Sequence, residues 1–230
     1  PYSDANPVNE NLQGSLDYLA RQTDIHEIIL SGGDPLTLSD ARLQSLTEQL
    51  AAIPQLHTLR IHTRLPVVLP ERDDTGLLAW IGRQELQVVI VIHCNHPNEI
   101  DSSVTAALQQ LRSAGVTLLN QSVLLHDVKD AAATLIRLSE ELFAAGVLPY
   151  YLHLLDKVQG AAHFEVPTSR ARSLMAELRE VSAADDGFKP GALAPQILGL
   201  LRVVPDVGVF QFAIYFFETV PPGGVVKGTP

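Results

Sequence analysis

The sequence predicts an α/β protein built on parallel strands, and three observations predict it. Five short apolar runs rich in β-formers begin roughly 30 residues apart, the length of one strand–helix unit with its loops. Segments with leucines at helical spacing lie between them. The runs are apolar throughout rather than alternating, which suits a parallel sheet covered by helices. A barrel and an open doubly wound sheet both satisfy this rhythm.

The predicted strands are Glu27–Leu30, Thr58–His62, Leu86–His93, Val116–Asn120 and Val147–Leu154. After the first, Ser39 is placed to cap a helix that carries Leu43, Leu46 and Leu50 on one face. After the third, Asp101 or Ser102 caps a helix with Val104, Leu108 and Leu111, stopped by Gly115. Leu135, Leu138 and Leu142 mark the next helix, which stops at Gly146. A fourth follows Thr168 and carries Leu174 and Leu178.

Of the 230 residues 46% are apolar, enough for a sizeable core, which argues against global disorder. The formal net charge of −10 argues against nucleic acid or an anionic membrane as partner, since either needs a basic face. A single cysteine, Cys94, excludes an intrachain disulfide and fits a reducing, cytoplasmic setting. No secretory signal is recognisable. The apolar stretch Val207–Phe217 falls short of the roughly 20 residues of a membrane span. The first residue is Pro1, so the expectation is a chain lacking its natural start.

Polar clusters follow the strands. They are Ser31-Gly-Gly-Asp34, His62-Thr-Arg64, His93-Cys-Asn-His96 with Asn98 and Glu99, Asn120-Gln121-Ser122, and His153-Leu-Leu-Asp156. The C-terminal edge of a parallel sheet is where ligands bind, so convergent polar groups there point to an enzyme. Plainer readings stand beside each cluster. Gly-Gly-Asp-Pro is ordinary turn chemistry, and glycines also let a ligand approach the backbone. His93 and His96 lack a third ligand at zinc-like spacing. Glu99 could cap the following helix, Asn120 and Gln121 could tie loops, and Asp156 could pair with Lys157. No dinucleotide, P-loop or nucleophile-elbow motif occurs.

Five stretches resemble the lysine 2,3-aminomutase family of radical S-adenosylmethionine (SAM) enzymes. They are "SGGDPL" (Ser31–Leu36), "LRIHTRLPVVLPER" (Leu59–Arg72), "NHPNEID" (Asn95–Asp101), "GVTLLNQSVLLHDVKD" (Gly115–Asp130) and "GVLPYYLHLLDKVQGAAHF" (Gly146–Phe164). The last two look most like the short bacterial branch that makes (R)-β-lysine for modifying elongation factor P. The resemblance implies a partial (βα)6 radical SAM barrel, TIM-like, over residues 1–181, followed by a divergent tail over 182–230. It implies SAM, a [4Fe–4S] cluster and pyridoxal 5′-phosphate (PLP) as cofactors, lysine as substrate, and elongation factor P pathway proteins as partners. By resemblance, Ser31, Gly32, Gly33 and Asp34 receive the amino-acid end of SAM, and His96 and Gln121 help to hold it. Asp156 matches the aspartate that binds the side-chain ammonium of lysine.

The sequence departs from that family twice. The family's CxxxCxxC cluster motif is absent, since Cys94 does not match it, so the metal ligands are missing and the chain alone is expected to be inactive. From Ser182 onward the likeness fades. The ending "PPGGVVKGTP" resembles the PLP-binding loop of longer aminomutases, which makes Lys227, after Pro222, Gly223 and Gly224, the matching lysine. A lysine on a frayed tail is the plainer reading. Two rivals remain open: a degenerate barrel that binds an amine or a protein without catalysis, and a metal-dependent barrel lyase or hydrolase using His93, His96, Glu99 and Asp156.

Overall fold

The computed structural model describes residues 8–156, 159–184, 202–204 and 212–215. The chain runs α1 (Val8–Arg21), β1 (Glu27–Ser31), α2 (Asp40–Ala51), β2 (Thr58–Thr63), α3 (Leu65–Val68), α4 (Thr75–Ile81) and β3 (Gln87–His93). It continues through α5 (Ser102–Ser113), β4 (Thr117–Val123), α6 (Ala132–Ala144), β5 (Leu148–His153), α7 (Thr168–Ala184), β6 (Arg202–Val204) and β7 (Phe212–Tyr215). All five predicted strands are present. Their ends agree to within one residue, except that β4 runs three residues further, to Val123. The extension is held by β5, against which Gln121, Ser122 and Val123 pair with Tyr151, Leu152 and His153.

Every strand pair is parallel, and the order is β6-β5-β4-β3-β2-β1-β7. From β1 to β6 the order in space is the order in sequence, with no reversal. A doubly wound sheet reverses at a switch point, and a barrel wall does not. The packing agrees. One core cluster joins Leu16 and Leu19 of α1, Leu43, Leu46 and Leu50 of α2, Leu77 and Trp80 of α4, and Val104, Leu108 and Leu111 of α5. On the sheet that cluster takes Ile28, Leu30, Leu59, Ile61, Val88, Ile90, Ile92 and Leu118, and it leaves out Ile29, Val89 and Val91. Alternate residues therefore serve opposite sides, and the helices lie on one side only. A smaller cluster continues that layer where Leu152 of β5 meets Leu135 of α6 and Leu174 and Leu178 of α7. These features make the structure a partial α/β barrel.

The expectation of strands apolar on both sides holds for β1 and β3 but not for β2, β4 and β5. On β2, Leu59, Ile61 and Thr63 are buried while Thr58, Arg60 and His62 are partly exposed. β4 alternates in the same way. The inner face needs polar groups, so only the helix side is uniformly apolar.

The helices end where their chemistry dictates. Asp101 caps α5 by accepting the N–H groups of Ser103 and Val104 at 2.8 and 2.9 Å. Gly115 and Gly146 take φ of 91° and 83° just after α5 and α6, a left-handed stop that a side chain would resist. Ser39 sits at the N-cap of α2 without a side-chain cap bond. The sequence reading did not place α1, α3 and α4. Trp80 of α4 is fully buried, and its indole N–H donates to Thr47 of α2 at 3.3 Å. The 181/182 boundary falls within α7, and β6 and β7, beyond it, join opposite edges of the same sheet.

Candidate functional site at the C-terminal edge of the sheet

After β1 the chain passes through Gly32, Gly33 and Asp34 at φ of 82°, 56° and 49°, three successive residues in left-handed territory. Two glycines make this path accessible, and they keep side chains off the backbone there. Asp34 is held in it by its own carboxylate. Oδ1 accepts the Thr63 hydroxyl at 2.6 Å and the Leu36 N–H at 3.2 Å, and Oδ2 accepts the Arg64 N–H at 2.8 Å. Asp34 therefore builds the turn and staples it to the end of β2.

The loop after β3 is fixed from three directions. The Asn120 carboxamide brackets Cys94, accepting its N–H at 2.9 Å and donating to its carbonyl at 3.1 Å. Asn95 Oδ1 accepts the Val123 N–H at 2.8 Å and Lys129 Nζ at 3.0 Å. The Asn95 N–H donates to Glu99 Oε1 at 2.9 Å, so Glu99 closes its own loop and leaves the capping of α5 to Asp101. His96 Nδ1 accepts the Asn98 N–H at 3.2 Å, which puts the ring proton on Nε2.

Inside the sheet's curve lies a band of polar and aromatic groups. Arg60 pairs with Glu27 at 2.8 Å and donates to the Tyr150 hydroxyl at 3.3 Å, which also receives the Tyr151 hydroxyl at 2.9 Å. A register shift between Asn120 and Gln121 lets β5 present both tyrosines. Above them, the His62 and His93 rings meet edge to face with centroids 6.3 Å apart, and the His153 ring lies 5.5 Å from that of Tyr151. The Gln121 carboxamide contacts the His93 ring. Burial, then the neighbouring His93, Arg60 and His153, pushes His62 down to about 4. His93 is likewise pushed down to about 4, by burial and then by Arg64, against the pull of Asp34. Burial also lowers His153, partly offset by Asp156. At neutral pH these imidazoles carry no charge and serve as hydrogen-bonding groups. Nε2 of His62 is buried and has no partner among the described residues.

The structure thus gathers Ser31, Gly32, Gly33, Asp34, His93, His96 and Gln121 on one edge. Asp156 sits three residues past β5, exposed, on the same edge. Lys157 and Lys227 lie outside the described residues. His93, His96, Glu99 and Asp156 do not form a metal-ligand group. Among the described residues such a group is formed by His126, Asp127 and Asp130, whose ligand atoms lie within 4.8 Å of one another on the outside of the molecule. Sequence reasoning missed Asn95 and Lys129. Lys129 is only 1% exposed, although "HDVKD" reads as a solvated charged loop and carries no signal of burial.

No family model matches the sequence. The L-lysine 2,3-aminomutase of Escherichia coli is 52% identical to it over 199 residues, covering 86% of this chain and 57% of that protein. The L-lysine 2,3-aminomutase of Haemophilus influenzae is 48% identical over 200 residues, covering 86% of this chain and 58% of that protein. Over this span the chain is homologous to the lysine 2,3-aminomutases. It spans somewhat more than half the length of these two relatives. A radical SAM methyltransferase from Sphaerobacter thermophilus aligns over 71% of this chain and 48% of its own, with 14% identity and a TM-score of 0.46. No helix among the described residues is long and apolar enough to cross a membrane.

Proposed function

We propose that these residues form the SAM- and lysine-binding part of a radical SAM lysine 2,3-aminomutase, an isomerase that converts lysine to β-lysine. The observation that carries this reading is the 52% identity, over 199 residues, to a protein of that activity. In this reading the Ser31–Asp34 turn and the His96 and Gln121 side chains receive SAM. The Asp156 carboxylate binds the side-chain ammonium of lysine. When bound and reductively cleaved, SAM supplies a 5′-deoxyadenosyl radical that starts the migration of the amino group from the α to the β carbon. The neutral imidazoles of His62 and His93 line that space without adding charge, and the buried Val89, Val91 and Ile29 beside them limit the access of water. The setting is cytoplasmic, the product serves the modification of elongation factor P, and PLP, bound through Lys227, is a further cofactor.

The [4Fe–4S] cluster does not fit the residues present. Cys94 is the sequence's one thiol, it is fully buried, and burial pushes it up to about 12, so no thiolate is offered to iron. No electron-transfer step is assigned to these residues. The chain by itself is accordingly expected to bind ligands without turnover. Calorimetric titration with SAM and then with lysine tests the reading. Binding of both, with lysine affinity falling at least about tenfold in Asp156→Asn, is the expected result. Failure to bind SAM would overturn it.

A further inference from the structure

We propose that Lys129 is a positioning residue, whose ammonium group fixes the Asn95 carboxamide and thereby sets the loop carrying His96 against the end of β4 carrying Gln121. Its place in the chain does not suggest this. His126, Asp127 and Val128 are exposed, and a lysine following them would ordinarily extend its head into water. Here the chain turns back instead. Asp127 takes φ of 59°, and the N–H groups of Val128 and Lys129 both donate to the Leu125 carbonyl, at 3.3 and 3.1 Å. The turn carries Lys129 inward until it is 1% exposed.

Burying an ammonium group is costly unless it is well partnered. Of its three N–H donors, Lys129 Nζ places one on Asn95 Oδ1, at 3.0 Å. A methionine would fill the same space without that cost. What the lysine adds is direction. Asn95 Oδ1 receives two donors, Lys129 Nζ and the Val123 N–H, so the amide cannot turn its own NH2 to that side without setting donor against donor. With the carboxamide fixed, the Asn95 backbone N–H meets Glu99, and the next residue is His96. Cys94, bracketed by Asn120, and Glu99 lie close enough to Lys129 to act on its charge, and Lys129 in turn acts on His153 of β5. One side chain therefore stands where the ends of β3, β4 and β5 converge. The ligand on which this geometry acts, SAM, rests on the function proposed above, whereas the geometry itself does not.

The test compares the full chain with Lys129→Met and with Lys129→Gln, which restores an uncharged N–H donor one bond closer to the backbone. Amide hydrogen exchange reads the geometry. The Asn95 and Val123 amides are expected to exchange at least about tenfold faster in Lys129→Met, with those of Ile90 and Leu118 unchanged. Calorimetry with SAM reads the consequence. Kd is expected to rise at least about fivefold in Lys129→Met and to return to within about twofold of the parent in Lys129→Gln. Parent-like exchange and affinity in Lys129→Met would overturn the proposal. So would faster exchange throughout the sheet with no recovery in Lys129→Gln, which would mark an ordinary packing residue. If the parent chain does not bind SAM, the functional reading fails separately, and the exchange comparison alone decides the role of Lys129.

Discussion

On β2, Leu59 and Ile61 are fully buried against the helices, while Arg60 and His62, each one residue away, serve the other face with an ion pair and an imidazole nitrogen unpartnered among the described residues. The same strand thus contributes to two regions built on different physics. The helix side is a continuous apolar layer in which each buried leucine or isoleucine contributes about 1.5–3 kcal/mol. The inner side holds desolvated polar groups that cost stability, and the helix side offsets that cost. Mutations on the two faces should therefore report on different properties, folding on one and protonation and ligand affinity on the other.

The largest effect is expected on the helix side. Trp80→Ala removes the largest fully buried side chain together with its hydrogen bond to Thr47, and should lower unfolding stability by about 3–5 kcal/mol in a urea titration. A smaller loss would mean that α4 packs less tightly than the core it joins. On the inner side, His62→Phe should leave stability near pH 7 within about 1 kcal/mol of the parent, because the imidazole it replaces is already neutral.

The pH dependence of stability separates the buried groups by sign. His62 and His93 titrate near 4 when folded and near 6.5 when unfolded, so the stability tied to their neutrality is present above 6.5 and is lost as pH falls toward 4. Asp73, buried between α3 and α4 with neither carboxylate oxygen partnered among the described residues, behaves oppositely. Burial raises it to about 7 against the pull of Arg72, so its contribution falls as pH rises from about 4 to 7. Asp73→Asn and Asp73→Leu, neither of which titrates, should both abolish that slope, as read by thermal melts across the range. Lys129, lowered by burial to about 7, adds stability as pH rises from about 7 to 10.5, and Lys129→Met should remove that increment. A modest effect is expected at the surface. Asp74→Ala deletes the N-cap bond to Leu77, 2.9 Å long, and should cost α4 about 1 kcal/mol.

What could be read in advance follows the same division between faces. The helices α2, α5, α6 and α7 were legible because leucines at helical spacing mark a face that must be buried. The short α4 was not, since seven residues give too few turns for periodicity to show. His93, His96 and Gln121 were legible as candidates because position at a strand end is a property of the chain. The roles of Asn95 and Lys129 were not, because they depend on which loop folds over which, and the left-handed turn at Asp127 that decides this leaves no pattern in composition. Asp34 was half legible: its place beside two glycines was visible, but the engagement of its carboxylate with the loop after β2 was not.

β7 lies along the outer side of β1, and β6 along that of β5. Without them β1 and β5, both well-formed strands, would present open rows of amide and carbonyl groups to any passing chain. With them the outermost rows among the described residues belong to strands of four and three residues, too short to template the growth of a foreign strand. Two brief segments late in the chain thus act as guards against self-association. Their loss should appear first as turbidity in concentrated solution, before any change in the affinity of the site.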